Sequence, residues 1–334
     1  MNRITIIGDG AWGTALALLL HSKGYRITIW GNFPEYVEEQ RKKRENYKFL
    51  PGIKIPRDMN YTADLGEAAE SAELFVCAVP TQFIRGVFER FAPYYSRGVP
   101  VVSVAKGIEQ KTLKRCTEVV AEFLEDASLA ALSGPSHAEE AARKVPTAVV
   151  IASKDGQLSR SLQDIFMARF FRVYTQQDII GVELGGALKN VIALAAGMCD
   201  GLGFGDNTKS TLLTRGLVEI SRLGVAAGAE RLTFTGLSGI GDLITTSFSR
   251  HSRNRALGEK IGQGMSLRQV LESTEKVAEG VWTTISSREL AQKLGVAVPI
   301  TDEVNKVLFE GKDPRHAVVD LMTRSKKQEI EDLT

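Results

Sequence analysis

Several features that define particular protein classes are scarce in this sequence. Only three cysteines occur, Cys77, Cys116 and Cys199, and their spacing fits neither a metal-binding pair nor a redox pair. We therefore expect free thiols in a reducing compartment. The four histidines form no H-x-x-x-H or similar cluster, so we expect no structural metal.

The sequence also has little excess charge of either sign. Its formal net charge of +2 argues against bulk nucleic-acid binding, which normally requires a strong basic excess. No uninterrupted apolar run approaches the ~18 to 20 residues of a membrane span, and the N-terminus lacks a signal-peptide pattern. These absences predict a cytoplasmic protein with no nucleic-acid partner and no membrane insertion.

The most informative feature that is present lies at the N-terminus. The β-branched run 4–7 leads directly into Gly8-Asp9-Gly10-Ala11-Trp12-Gly13, and an apolar helical stretch follows. This is G-x-G-x-x-G between a strand and a helix, the context in which it indicates dinucleotide binding. Gly8 permits the tight turn, Gly10 lets the backbone approach a pyrophosphate, and Gly13 allows close packing of helix and strand. The alternative is a glycine-rich turn with a purely structural role.

The pattern along the chain predicts two domains. Continuous apolar runs alternate with helical stretches as far as about residue 179, which is typical of parallel strands covered by helices. Beyond that residue only helical patterns remain. We therefore predict an α/β protein with an N-terminal Rossmann-like, doubly wound, mostly parallel sheet at 1–179 and an all-helical domain at 180–334. The predicted strands contain residues 4–7, 26–30, 74–79, 99–104, 129–132, 148–152 and 171–174.

The tip of the second predicted strand bears on the choice between NAD and NADP. Dinucleotide folds usually place a carboxylate there to bind the ribose 2′-hydroxyl of NAD, but this chain has Asn32 and Phe33. No arginine stands at the tip to attract the 2′-phosphate of NADP. Use of either cofactor, or a mild NADP preference, is the prediction. The basic run 41–44 is either a contact for that phosphate or, as we favour, a solvated helix end.

In both halves of the chain, the candidate catalytic and binding residues are polar residues that interrupt stretches of small or apolar residues. Lys189 interrupts an apolar helix, so its pKa is expected to fall and suit acid–base catalysis, unless its ammonium reaches the surface. Asp242 either pairs with Lys189 or Lys106, or caps a helix. The run 252–254 (Ser-Arg-Asn) suits a phosphate or, alternatively, a capping segment.

Taken in order, these segments resemble the NAD(P)-dependent glycerol-3-phosphate dehydrogenase family, in particular its bacterial biosynthetic form. The shared motifs span nearly the whole chain and include Gly8 to Ala15, Leu50-Pro51-Gly52, Ala105-Lys106-Gly107, Gly134 to Ala138, Glu183 to Asn190, Gly239 to Thr246, Ser252-Arg253-Asn254 and Glu279-Gly280-Val281.

The resemblance implies hydride transfer between NAD(P)H and dihydroxyacetone phosphate, giving sn-glycerol 3-phosphate for phospholipid synthesis, in a homodimer without metal. It implies that Lys189 donates and accepts the proton, with Lys106 and Asp242 beside it. The implied substrate-binding residues are Lys106, Gly134, Ser136, Lys189, Asp242, Ser252, Arg253 and Asn254. The implied cofactor-binding residues are Gly8, Gly10, Ala11, Trp12, Gly13, Asn32, Phe33, Lys106, Ala138, Arg253, Val277 and Glu279.

The sequence departs from the family pattern at two positions. Residue 11 is often serine in the family and residue 32 is often basic, whereas this chain has Ala11 and Asn32. Both differences bear on cofactor preference. Two other functions stay open at this point: a lysine-dependent dehydrogenase of keto or hydroxy acids, and a non-catalytic dinucleotide sensor.

Overall fold

The protein folds as two compact units. The structure, a computed structural model, describes residues 1–274, 278–326, 328 and 329. The first unit contains Met1–Ala105 and Cys116–Ile179, and the second contains Lys106–Arg115 and Ile180–Thr334. Our domain prediction left 106–115 in the N-terminal domain. Those residues belong to the second unit because Ile108 is part of its apolar core.

One eight-stranded sheet organises the first unit. The strand order is β3-β2-β1-β4-β5-β6-β7-β8, and every neighbouring pair is parallel except β6 and β7. This confirms the predicted Rossmann-like, mostly parallel α/β architecture. The strands are β1 (Arg3–Ile7), β2 (Arg26–Trp30), β3 (Asn60–Thr62), β4 (Leu74–Cys77), β5 (Val101–Ser103), β6 (Leu129–Ser133), β7 (Thr147–Ala152) and β8 (Phe171–Gln176).

Helices cover both faces of this sheet. Ile4 and Ile6 of β1 lie in one apolar core and Ile7 in another, because successive strand side chains point to opposite faces. The helices of the first unit are α1 (Ala11–His21), α2 (Pro34–Lys43), α3 (Leu65–Ala69), α4 (Ile84–Phe91), α5 (Cys116–Ala121), α6 (Ala138–Ala141) and α7 (Gly156–Phe166).

The second unit is helical throughout its regular structure. Its helices are α8 (Ile179–Gly201), α9 (Asp206–Ala226), α10 (Asp242–Phe248), α11 (Arg253–Gly262), α12 (Leu267–Glu272), α13 (Glu279–Leu294), α14 (Pro299–Phe309) and α15 (Pro314–Met322). Helix α8 is long and apolar enough to cross a membrane by length and composition, although Glu183, Lys189 and Asp200 interrupt its apolar sequence. Since 94% of its apolar window is buried inside the protein, α8 is the core helix of this unit.

Glycines let α8 and α11 approach each other closely. A Cβ atom at Gly258 of α11 would lie 2.0 Å from the carbonyl oxygen of Leu194 on α8. A Cβ at Gly197 of α8 would lie 2.0 Å from the carbonyl oxygen of Arg255. The two backbones therefore touch directly, which fixes the side chains of both helices relative to each other.

Replacing Gly258 with alanine is expected to destabilise the protein by about 1 to 3 kcal/mol, because the methyl group overpacks a contact between backbones. Urea unfolding followed by circular dichroism measures this change. Gly86→Ala is the control, since nothing lies within 4 Å of its added Cβ on α4. A control that is unchanged or up to about 1 kcal/mol more stable is expected. Equal stability of Gly258→Ala and wild type would contradict the close-packing argument.

Candidate active site

The second unit brings two lysines to one buried carboxylate. Lys106 Nζ donates to Asp242 Oδ2 at 2.7 Å, and Lys189 Nζ lies 3.1 Å from Asp242 Oδ1. Lys189 Nζ also donates to Thr246 Oγ1 at 2.5 Å, and that hydroxyl donates to Asp242 Oδ1 at 3.1 Å. We call Lys106, Lys189, Asp242 and Thr246 the Asp242 cluster.

Burial strongly perturbs the amine of Lys189. The residue is 5% exposed, and desolvation lowers its pKa to about 8. Asp242 raises this pKa, whereas the charges of Lys106 and Arg253 lower it further. An amine with a pKa near neutrality exchanges its proton readily, which is the property a general acid–base group requires.

Asp242 remains ionised despite its burial. Desolvation raises the pKa of its carboxyl, but the ammonium groups of Lys106 and Lys189 outweigh that effect and hold the pKa below its usual value. Both carboxylate oxygens are occupied by cationic partners. Asp242 therefore fixes the positions of two lysines instead of capping a helix, and the cap residue of α10 is Gly241.

Local backbone geometry brings α8 against the segment that carries Asp242. A π-helical turn, Leu237–Gly241, runs into α10, so Asp242 starts the helix and Thr246 follows one turn later. A Cβ at Gly185 of α8 would lie 2.6 Å from the carbonyl oxygen of Ser238, so only glycine permits this approach. Lys189 lies one turn beyond Gly185 on α8, on the side that meets the turn.

Two asparagines extend the site with side-chain amides. Asn190 Nδ2 donates to the carbonyl oxygen of Lys106 at 3.1 Å, which holds the segment before α5 against α8. Asn254 Nδ2 donates to Asn190 Oδ1 at 2.8 Å, and the backbone N–H of Gly280 donates to Asn254 Oδ1 at 3.0 Å. This chain of bonds links four separate stretches of the second unit.

The predicted phosphate-binding run lies at the start of α11. Ser252 is its N-cap and accepts from the backbone N–H of Arg255 at 3.2 Å. Arg253 is exposed, and its charge reaches Lys189, whose pKa it lowers. Arg255 donates to Asp200 at 2.6 Å and to the carbonyl oxygen of Ser249 at 3.2 Å, which holds the loop before α11 in place.

The glycine turn of the first unit fits a dinucleotide pyrophosphate. Gly8 has a φ of +119°, and an added Cβ would lie 2.7 Å from the carbonyl of Ala78, so the turn requires glycine. At Gly10 nothing lies within 4 Å of an added Cβ, which leaves room for a phosphate. Helix α1 has no side-chain cap and no acidic residue in its first turn, so its N–H groups point outward unpaired by side chains. A Cβ atom added at Gly13 would lie 2.2 Å from the carbonyl oxygen of Gly8.

Trp12 carries a further sign that a ligand belongs here. Its Nε1 is buried and has no hydrogen-bond partner in the stretches that the structure describes. Ala11 and Trp12 pack against a small buried cluster containing Ala15 and Ala138. Ala138, predicted to touch the dinucleotide, therefore lies beside the glycine turn.

The remaining predicted residues are distributed over both units. In the first unit, Gly134 has a φ of +129° and its carbonyl oxygen accepts from Ser136 Oγ at 2.7 Å. Asn32 and Phe33 are exposed after β2, with Phe33 at the N-cap of α2. In the second unit, Glu279 is the first residue of α13. Val277 lies outside the described residues.

Two residues of this site have no assigned role in the sequence-based prediction. Thr246 bridges Lys189 and Asp242, and Asn190 holds Lys106 and Asn254. The available signal was spacing: Thr246 follows Asp242 by four residues, and Asn190 is next to Lys189. Because the sequence before Asp242 is glycine-rich, it does not indicate α10, the helix on which residues four apart lie on one face. No cluster of three or more His, Cys, Asp or Glu suited to a metal ion occurs within 1–274, 278–326 and 328–329.

Comparison with known families covers almost the whole chain. The profile described as "NAD-dependent glycerol-3-phosphate dehydrogenase N-terminus" matches residues 3–159. The profile described as "NAD-dependent glycerol-3-phosphate dehydrogenase C-terminus" matches residues 178–319. The two profiles occur in this order, one over the sheet and one over the helices.

Individual relatives agree with these profiles. The chain is 50% identical to a glycerol-3-phosphate dehydrogenase [NAD(P)+] of Geobacillus thermodenitrificans, covering 100% of this chain and 98% of the relative. It is 49% identical to the enzyme of that name from Pelotomaculum thermopropionicum, covering 99% and 96%. A crystal structure of glycerol-3-phosphate dehydrogenase from Coxiella burnetii superimposes with a TM-score of 0.94 at 36% identity, covering 97% of this chain and 99% of that one.

Proposed function

Because this chain belongs to the NAD-dependent glycerol-3-phosphate dehydrogenase family, it is an NAD(P)-dependent oxidoreductase, and we propose in detail how its residues act. The substrate pair is dihydroxyacetone phosphate and sn-glycerol 3-phosphate, interconverted by reversible hydride transfer. The observation that carries the proposal is the buried Asp242 cluster, which holds an amine of lowered pKa between a carboxylate and a hydroxyl.

Lys189 is the proposed proton donor and acceptor at the C2 oxygen of the substrate. In the ketone-reducing direction its ammonium polarises the carbonyl and gives a proton to the forming alkoxide. In the reverse direction the neutral amine takes that proton back. Asp242 and Thr246 hold Nζ in place, and Lys106 supplies a second positive charge beside the developing oxyanion.

The surplus of positive charge suits a phosphorylated substrate. Lys106 and Lys189 both contact the carboxylate of Asp242, and the charge of Arg253 also acts on Lys189. We assign the substrate phosphate to Arg253 and Asn254 at the start of α11, where backbone N–H groups add to the attraction. Gly134, Ser136 and Ser252 are proposed to complete substrate binding. Binding energy from the phosphate then orients the carbonyl that reacts.

The first unit is the proposed dinucleotide-binding domain and the second the substrate domain. The turn Gly8–Gly13 and the first N–H groups of α1 bind the pyrophosphate, with Trp12, Asn32, Phe33 and Ala138 beside the dinucleotide. Lys106, Arg253, Val277 and Glu279 are the proposed contacts from the remainder of the chain. Bound NADH or NADPH supplies the hydride.

The cellular role follows from the product. We propose that the enzyme works in the cytoplasm as a homodimer and supplies sn-glycerol 3-phosphate for glycerophospholipid synthesis. Family membership and the buried setting of α8, the one membrane-length apolar helix among the described residues, support this assignment.

The pH dependence of kcat is expected to have opposite signs in the two directions. Ketone reduction requires protonated Lys189 and falls as pH rises through about 8, whereas alcohol oxidation requires the neutral amine and rises over the same range. Initial rates in both directions from about pH 6 to about pH 10, at constant ionic strength and saturating substrate, measure this.

The same assay separates this function from its competitors. Rapid NADH or NADPH oxidation with dihydroxyacetone phosphate, and none with a series of 2-oxo acids, is the expected outcome. A preference for 2-oxo acids would instead identify a keto-acid dehydrogenase. Dinucleotide binding without turnover of either substrate class would leave a sensor as the correct function. If kcat rises with pH in both directions, or falls with pH in both directions, Lys189 is excluded as the proton carrier.

A further inference from the structure

The guanidinium of Arg90, a residue of α4, lies beside Asn32 at the tip of β2, although the two residues are far apart in the sequence. Arg90 Nη2 donates to Asn32 Oδ1 at 2.8 Å across a sequence separation of 58 residues. Its Cζ lies 5.8 Å from the ring centroid of Trp30, the last residue of β2, within cation–π range. Arg90 Nε donates to the Gly86 carbonyl oxygen at 3.1 Å, so the side chain runs back along α4.

These contacts give the strand tip the positive charge that its own sequence lacks. Asn32 is neutral, and the nearby basic run 41–44 is engaged elsewhere. Arg41 and Lys42 pair with Glu38, and Lys43 pairs with Glu39, all on α2. Arg44, which follows α2, donates to the carbonyl oxygens of Pro56 and Met59. Residues 41–43 are exposed, as expected of a solvated helix end. Arg90 forms no ion pair within the described part of the chain, so its charge is uncompensated by a carboxylate.

The position of this cation matches a known chemical requirement of dinucleotide folds. The residues after the second strand face the 2′ position of the adenosine ribose, where a carboxylate selects a hydroxyl and an arginine selects a phosphate. Arg90 and Asn32 are both exposed and open to a ligand. Because Asn32 Oδ1 accepts from Arg90, its Nδ2 is the outward donor, and the pair offers only N–H groups.

We propose that Arg90 is a specificity-determining residue that binds the 2′-phosphate of NADP(H) and raises the affinity for it over NAD(H). A planar guanidinium suits a phosphate because it donates two parallel hydrogen bonds. Trp30 and Asn32 hold this group at the ribose position, and Asn32 Nδ2 adds a donor. This inference rests on the proposed dinucleotide site at Gly8–Gly13.

Binding measurements without turnover test the assignment. Dissociation constants for NADPH, NADH, 2′,5′-ADP and 5′-AMP are measured by isothermal titration calorimetry on wild type, Arg90→Ala and Arg90→Lys. Arg90→Ala is expected to weaken NADPH and 2′,5′-ADP binding by about tenfold to a hundredfold, and to leave NADH and 5′-AMP within about twofold. Arg90→Lys keeps the positive charge but loses the planar pair of N–H donors, so an intermediate loss of affinity for NADPH and 2′,5′-ADP is expected.

Arg97→Ala is the matched control, because Arg97 is also exposed in the first unit and lies 3.7 Å from Asp126 in a surface ion pair. Its loss removes the same net charge and is expected to change no affinity by more than about twofold. Unchanged or equally reduced affinities for all four ligands in Arg90→Ala, with wild type binding them, would overturn the role of Arg90 alone. Wild type that binds no dinucleotide would overturn the proposed function itself.

Discussion

Lys189→Met is expected to lower kcat for dihydroxyacetone phosphate reduction by between about 10² and 10⁴-fold, the usual contribution of a positioned general acid. Methionine is unbranched, nearly as long as lysine and suited to a buried site, but it has no proton to donate. Dinucleotide affinity is expected to remain within about twofold, since the glycine turn lies in the first unit. Steady-state kinetics and dinucleotide fluorescence titration measure the two effects.

Lys260→Met is the matched control for this variant. Lys260 lies on α11 in the same unit, and its ammonium donates to Ser273, outside the Asp242 cluster. The control is expected to retain kcat within about twofold, because it removes a charge of the same kind without touching the site. Near-normal turnover of Lys189→Met, in protein with a native circular dichroism spectrum, would remove Lys189 from the mechanism.

Asp242→Asn is expected to reduce kcat at neutral pH by about 100-fold or more, because two ammonium groups lose the charge between them. Asp242 raises the pKa of Lys189, so its removal lowers that pKa further below about 8. The descending limb of the reductive pH profile is then expected to move to lower pH by about one unit or more. The activity of this variant is then expected to recover partly at acidic pH, because Lys189 is protonated there.

Asp200→Asn separates this electrostatic effect from general damage. Asp200 also lies between two cations, Lys209 at 2.8 Å and Arg255 at 2.6 Å, within the same unit. This variant is expected to leave the pH limb of kcat in place, whatever it does to stability or KM. An unmoved limb in Asp242→Asn, or an equal shift in both variants, would contradict the role of Asp242 in setting the pKa of Lys189.

Local patterns were enough to predict seven of the eight strands and the helical character of the chain beyond residue 179. The run 4–7 and the glycines after it became β1 and α1, because strand propensity and turn chemistry act over a few neighbouring residues. Helix α11 spans Arg253–Gly262, as its pattern indicates. The short strand β3 was missed, since three residues show too little periodicity.

Long-range pairing was the part that local patterns left open. Lys106 and Asp242 are 136 residues apart, and the sequence offered Asp242 two lysines or a capping role. The structure shows contacts with both lysines. Arg90 had no signal at all, because its place beside Asn32 depends on how α4 packs against the sheet. Such contacts arise from tertiary packing, which spacing along the chain does not encode.

The assignment of residues 106–115 to the second unit has a consequence for synthesis and for gene engineering. The chain enters that unit at Lys106, leaves it at Arg115 and returns at Ile180. A ribosome therefore releases Lys106 long before it synthesises Asp242, so the ion pair between these two residues can form only late in synthesis. A fragment beginning at residue 180 would lack both Lys106 and the core residue Ile108. Cutting the gene there would thus separate Lys106 from Asp242 within the proposed active site, so neither part can be exchanged as an independent module.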